Sequence, residues 1–140
     1  MSAWGVGSFE NDSALDWLAA YAEEREEAFV RSALESIADA ADGAFLEETD
    51  ASSAIAAAEV VASAAGRATV AKLGEDDAAL LYAPGFKSSP SLVELAVRVV
   101  ERVRDDPDCE LRQMWEEDDS SEWRAALGEL LGRLHGPRPT

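Results

Sequence analysis

One cysteine and one histidine occur in 140 residues, and that scarcity removes whole chemistries at once. Cys109 has no internal disulfide partner, which fits a reducing compartment. With His135 as the only imidazole, there is no route to a Cys/His zinc site. Basic side chains are scarce as well, 12 against 29 acids, for a net charge of −17. Such a chain repels the phosphates of nucleic acids and anionic membranes, because binding to either rests on Lys and Arg. The longest apolar stretch, Ala54–Ala65, is interrupted by Glu59 and Ser63. It falls short of the roughly 18 residues a membrane span needs. The N-terminus lacks a basic segment followed by an apolar run, so no signal peptide is expected. The expectation is a cytoplasmic protein that binds neither nucleic acid nor membrane.

Strand-like alternation and hairpin signals are also nearly absent, whereas helical periodicity runs through most of the chain. With 47 % hydrophobic residues the chain can bury a core without staples. The fold class expected is all-α: a compact single-domain bundle of about five to seven helices over residues 1–134, followed by a loose tail at 135–140. The first helix starts near Asn11 or Asp12, both capable N-caps, and Ser13 with Asp16 has capping-box spacing. The second spans about Glu24 to Ala41. Its Phe29, Val30, Ala33, Leu34, Ile37, Ala40 and Ala41 share one face, and Glu24, Glu27, Arg31, Glu35, Asp39 and Asp42 line the other. Gly43 supplies a left-handed stop.

A third helix, from about Thr49–Asp50 to Ala65, is small and apolar almost all round, as suits a central position. A short helix is expected at Asp77–Ala83, then a turn at Pro84-Gly85. Ser89-Pro90 places a cap and a first-turn proline ahead of the next helix, which carries a Glu94–Arg98 pair. Asp106-Pro107-Asp108 breaks that helix. CELRQMWEE forms a short one, and the last covers Ser121 to Leu134.

Acid clusters at Glu47-Glu48-Thr49-Asp50, Glu75-Asp76-Asp77, Asp105-Asp106-Pro107-Asp108 and Glu116-Glu117-Asp118-Asp119 lack the spacing of a calcium loop. They fall at helix ends, where they read as solvated acids and first-turn partners of the helix dipole. No metal or cofactor is expected. Cys109 lies between Asp108 and Glu110, and neighbouring negative charge opposes thiolate formation. His135 is placed in the tail, a poor position for a general base. No catalytic residue stands out. Trp17, Trp115 and Trp123 read as core aromatics.

The opening stretch Trp4-Gly-Val-Gly-Ser-Phe9-Glu-Asn-Asp12 has two glycines ahead of a helix, as a phosphate cradle does. Glu10, Asp12 and Asp16 crowd that terminus, and a cap occupies its donors. Trp4 and Phe9 are therefore expected to anchor the segment on the core, with Gly5 and Gly7 turning the backbone. The pattern WGxGxFxNDxALDWL (Trp4, Gly5, Gly7, Phe9, Asn11, Asp12, Ala14, Leu15, Asp16, Trp17, Leu18) resembles the start of a bacterial family known only as domain of unknown function 4259. The likeness continues through AAAEVVA at 56–62 and ELRQMWEEDDSSEWRAALGELLGRL at 110–134. It implies a small helical protein in bacteria and brings no activity, cofactor or catalytic residue with it.

Residues 1–50 hold 13 acids and 2 bases, against 16 and 10 in residues 51–140. That asymmetry favours a non-catalytic acidic module that binds a basic protein through Glu24, Glu27, Glu35, Asp39 and Asp42. An immunity or antitoxin-like inhibitor is one concrete form. The alternatives are a carboxylate-based enzyme, with or without a divalent metal, and a DNA mimic.

Overall fold

A computed structural model describes residues 7–67, 75–82, 85–117 and 119–136. Among them are seven helices: α1 Asp12–Glu23, α2 Glu27–Ala38, α3 Glu48–Ala64, α4 Glu75–Tyr82, α5 Pro90–Asp105, α6 Glu110–Glu116 and α7 Ser121–His135. The described residues form no β-strand, and the all-α expectation holds.

Local chemistry accounts for several starts. Asn11 caps α1, its Oδ1 accepting the Ala14 N–H at 2.8 Å. Ser89 caps α5 by accepting the Leu92 N–H at 3.2 Å, with Pro90 at the first position where a missing N–H costs nothing. The N-terminus of α3 borrows its cap from elsewhere: the Glu48 N–H donates to Glu110 Oε1 at 2.7 Å.

Several boundaries move: α3 begins at Glu48, just ahead of the expected Thr49–Asp50, and α4 at Glu75, two residues before the expected Asp77. Helix α2 begins at Glu27, because Glu24 (φ −144°, ψ 71°) and Glu26 (φ −128°, ψ 149°) have non-helical backbones. It ends at Ala38, and Gly43 (φ +81°) turns the following loop and does not stop the helix. Helix α7 runs through His135, one residue past the expected end, and Gly136 caps it. The rest of the expected tail, residues 137–140, lies outside the described residues.

Helix α3 is the centre of the molecule. Ala51, Ala54, Ile55, Ala56, Ala57, Ala58, Val60, Val61 and Ala62 are all buried, and α1, α2, α4, α5, α6 and α7 pack against it. Its alanines let neighbouring backbones approach closely, and longer side chains complete the core: Leu18 and Tyr21 from α1, Leu34 and Ile37 from α2, Val99 and Val100 from α5, Leu130 and Leu134 from α7. Each such side chain stabilises the fold by about 1.5–3 kcal/mol on burial. Ser63 Oγ donates to the Leu81 carbonyl, tying α4 to α3.

Two long-range contacts finish the α2–α3 connection. The Arg102 guanidinium on α5 donates to the carbonyls of Ile37, Ala40 and Ala41 at 2.8, 2.7 and 2.9 Å. It thus closes the C-terminus of α2, where orphan carbonyls need donors. Leu46 forms an isolated parallel bridge with Cys109: its N–H donates to Asp108 O at 2.9 Å, and its carbonyl accepts from Glu110 N–H at 2.8 Å.

Candidate functional site

Glu24 lies in the non-helical link before α2, Glu27 opens the helix, Glu35 sits on its exposed side, Asp39 is its C-cap, and Asp42 follows in the loop. Glu24, Glu35, Asp39 and Asp42 are exposed, and among the described residues none of them takes part in an ion pair. Glu27 is half-buried and pairs with Arg31 at 3.0 Å. The helix therefore carries only part of the stripe; the links at either end carry the rest. Four unneutralised carboxylates within 19 positions of the sequence make this segment strongly negative in water.

No pattern in the sequence marks Phe45. Its side chain is 56 % exposed, the one large hydrophobic residue so exposed among those described. It follows Asp42 by three positions and precedes Glu47, also exposed. Leu46 beside it is held by the two bridge hydrogen bonds to the Asp108–Glu110 segment. Phe45 thus projects from a backbone that is fixed next door, flanked in sequence by acids. An aromatic ring on a fixed backbone loses little conformational entropy on contact, the property that suits it to anchor an interface.

Of the opening motif, Trp4 and Gly5 lie outside the described residues. Phe9 is buried at 3 % exposure, as expected of an anchor on the core. Gly7 and Glu10 close a turn: Glu10 N–H donates to Gly7 O, and Gly7 N–H donates to Glu10 Oε1, both at 3.1 Å. A carboxylate of the chain itself thus occupies a donor that a phosphate would use. Ser8 Oγ donates to Glu59 Oε2 at 2.7 Å, so the motif reaches the middle of α3.

Glu59 itself is 3 % exposed and meets Arg133 of α7, with Nη1 at 2.6 Å from Oε1 and Nη2 at 3.0 Å from Oε2. Glu129 accepts from the same guanidinium. Burial works against the charge on Arg133, and the bonds to Glu59 and Glu129 outweigh it, holding the guanidinium above its ordinary pKa. With its partners in place this buried pair is a structural joint.

The aromatics divide. Trp123 is buried. Trp17 is half-buried and stacks on Tyr21 at 5.5 Å and 7°, with Phe29 5.7 Å from Trp17. Trp115 is half-buried against the core.

Cys109 is buried. Burial first, and the nearby Asp106 charge second, push its thiol above the usual range, against bonds to Arg112 and Leu111 N–H that act the other way. The expected rise is there, though burial leads it and not the sequence neighbours. His135 is exposed in the last turn of α7. Among the described residues, no three His, Cys, Asp or Glu side chains are grouped as metal ligands would be. No helix among them is long and apolar enough to cross a membrane.

The family model for a domain of unknown function, DUF4259, matches residues 2–126. The chain belongs to the DUF4259 family. The match spans the opening motif, the central helix with Glu59, Phe45 and the acidic segment, and it stops short of Arg133. No curated protein and no solved structure matches the chain.

Proposed function

We propose that this DUF4259 protein is a non-catalytic binding module whose acidic segment around α2, with Phe45 as its apolar anchor, docks on a basic protein surface. The observation that carries the reading is the exposed set Glu24, Glu35, Asp39 and Asp42, without an ion pair among the described residues, running up to a 56 % exposed phenylalanine. Acids at the rim of such a contact steer a basic partner and speed association, and a buried aromatic supplies the contact energy. An inhibitor of the immunity or antitoxin kind, in a bacterial cytoplasm, is the concrete form proposed. A buried thiol pushed towards its protonated form and a histidine in an exposed terminal turn support a non-catalytic role over a nucleophilic enzyme.

The test is comparative capture from the native cell with three baits: the native chain, Glu35→Lys/Asp39→Lys/Asp42→Lys, and Phe45→Ala. The reading expects one basic protein retained by the native chain and lost from both variants. Retention by all three would reject it. A partner displaced by duplex DNA from the native chain would turn the reading towards a DNA mimic.

A further inference from the structure

The chain's cations are distributed unevenly. In the described residues Arg31, Arg102, Arg104, Arg112, Arg124 and Arg133 each pair with a carboxylate, as expected where acids outnumber bases 29 to 12. Arg67 and Arg98 do not, nor does the exposed Lys87. The expected Glu94–Arg98 pair on α5 does not close. Arg67 and Arg98 both line one groove, of about 640 Å³, between the N-terminal half of α5 and the ends of α3 and α7.

Its construction is that of an amphipathic site. Val93 and Val97 on α5 and Leu134 on α7 give it an apolar lining. Arg67 is held in place, with Nη1 donating to Arg133 O at 3.2 Å and its guanidinium packed against Gly136, where any Cβ would collide with it. Ser88 Oγ is buried in the groove lining and has no hydrogen-bond partner among the described residues. The start of α5 lies at the same place and adds the positive end of its dipole. Glu94 is the one carboxylate among the described lining residues, so two arginines keep the groove net positive even with His135 neutral. The net charge of −17 opposes anions at long range, but salt at 0.15 M screens it beyond about 8 Å. Near the groove the local arginines dominate.

We propose that this groove binds a small amphipathic anion: an aliphatic chain lying on Val93, Val97 and Leu134, its terminal carboxylate held by Arg67 and Arg98. A guanidinium matches a carboxylate with two parallel hydrogen bonds, and the volume falls within the 300–1,000 Å³ typical of ligand pockets. This site is separate from the acidic surface.

Calorimetric titration of the full chain with octanoate tests it, with octanol and acetate as controls for charge and chain. Saturable octanoate binding is expected, with octanol weaker by about tenfold or more and no saturable binding of acetate. Arg98→Gln removes an exposed side chain that bonds to nothing described, so the fold is kept, as circular dichroism and the melting temperature will show. It is expected to weaken octanoate by about tenfold. Val97→Trp, which fills the groove, should abolish binding. The proposal is overturned by equal affinity for octanol and octanoate, by unchanged affinity in Arg98→Gln, or by no saturable octanoate binding at all. Sedimentation showing a dimer through this face that octanoate leaves intact would overturn it too.

Discussion

Arg133 Nη1 lies 2.6 Å from Glu59 Oε1, joining two side chains 74 positions apart, and Ser8 donates to the same carboxylate. Helix α3, helix α7 and the opening motif thus meet at one buried charge pair. Removing one partner of such a pair leaves an uncompensated buried charge, at a cost of about 3–5 kcal/mol. Arg133→Met should therefore lower unfolding free energy by that amount in urea titrations with an unchanged slope. The double variant Glu59→Leu/Arg133→Met should recover most of the loss, since an apolar pair can replace a buried ionic one. A single-variant loss below about 1 kcal/mol would show that the pair is exposed in solution.

Arg102 offers a second test of long-range closure. Its guanidinium satisfies the Ile37 carbonyl in the last turn of α2 and the Ala40 and Ala41 carbonyls just beyond it, so Arg102→Ala should cost about 2–4 kcal/mol. Amide hydrogen exchange should speed up first in the last turn of α2 and the loop to α3. Arg102→Lys, with a compact head in place of a fork, should fall between the two. Uniform protection across α2 in Arg102→Ala would contradict the assignment.

These two arginines also show where the sequence is informative. Ser89-Pro90 starts α5 by local chemistry, and the apolar run at 54–65 reads directly as a central helix. Glu59, by contrast, looks like an interruption of that run; its meaning rests on a side chain 74 positions away. The start of α2 is misplaced in the same way. The run Glu23–Glu27 carries good helix formers, but Gly85 packs so closely on Arg25 that a Cβ there would meet the Arg25 carbonyl oxygen. Tertiary contact, not propensity, settles that boundary. Of the candidate interface, the acids were legible as a helical stripe. Phe45 was not, because a lone loop phenylalanine has no periodicity to mark it as buried or exposed.

Tyr21 sets an alkaline limit. It is fully buried, and burial raises its phenol above the ordinary 10.0, against the Gly85 N–H bond and the Arg25 charge. The folded chain therefore keeps its proton where the unfolded chain has released it. Stability from this group is complete below pH 10.0 and is lost as pH rises beyond it. The loss is at most about 1.4 kcal/mol per pH unit until the folded value is reached. Urea midpoints should fall more steeply above pH 10 in the native chain than in Tyr21→Phe, whereas parallel slopes would place the phenol in water.

Association kinetics test the docking role of the acidic segment most directly. With the captured partner immobilised, the native chain should associate quickly at low salt and more slowly as salt rises. Glu35→Lys/Asp39→Lys/Asp42→Lys should slow association by about tenfold or more. Phe45→Ala should act mainly on dissociation. An association rate that neither salt nor the triple reversal alters would contradict the account.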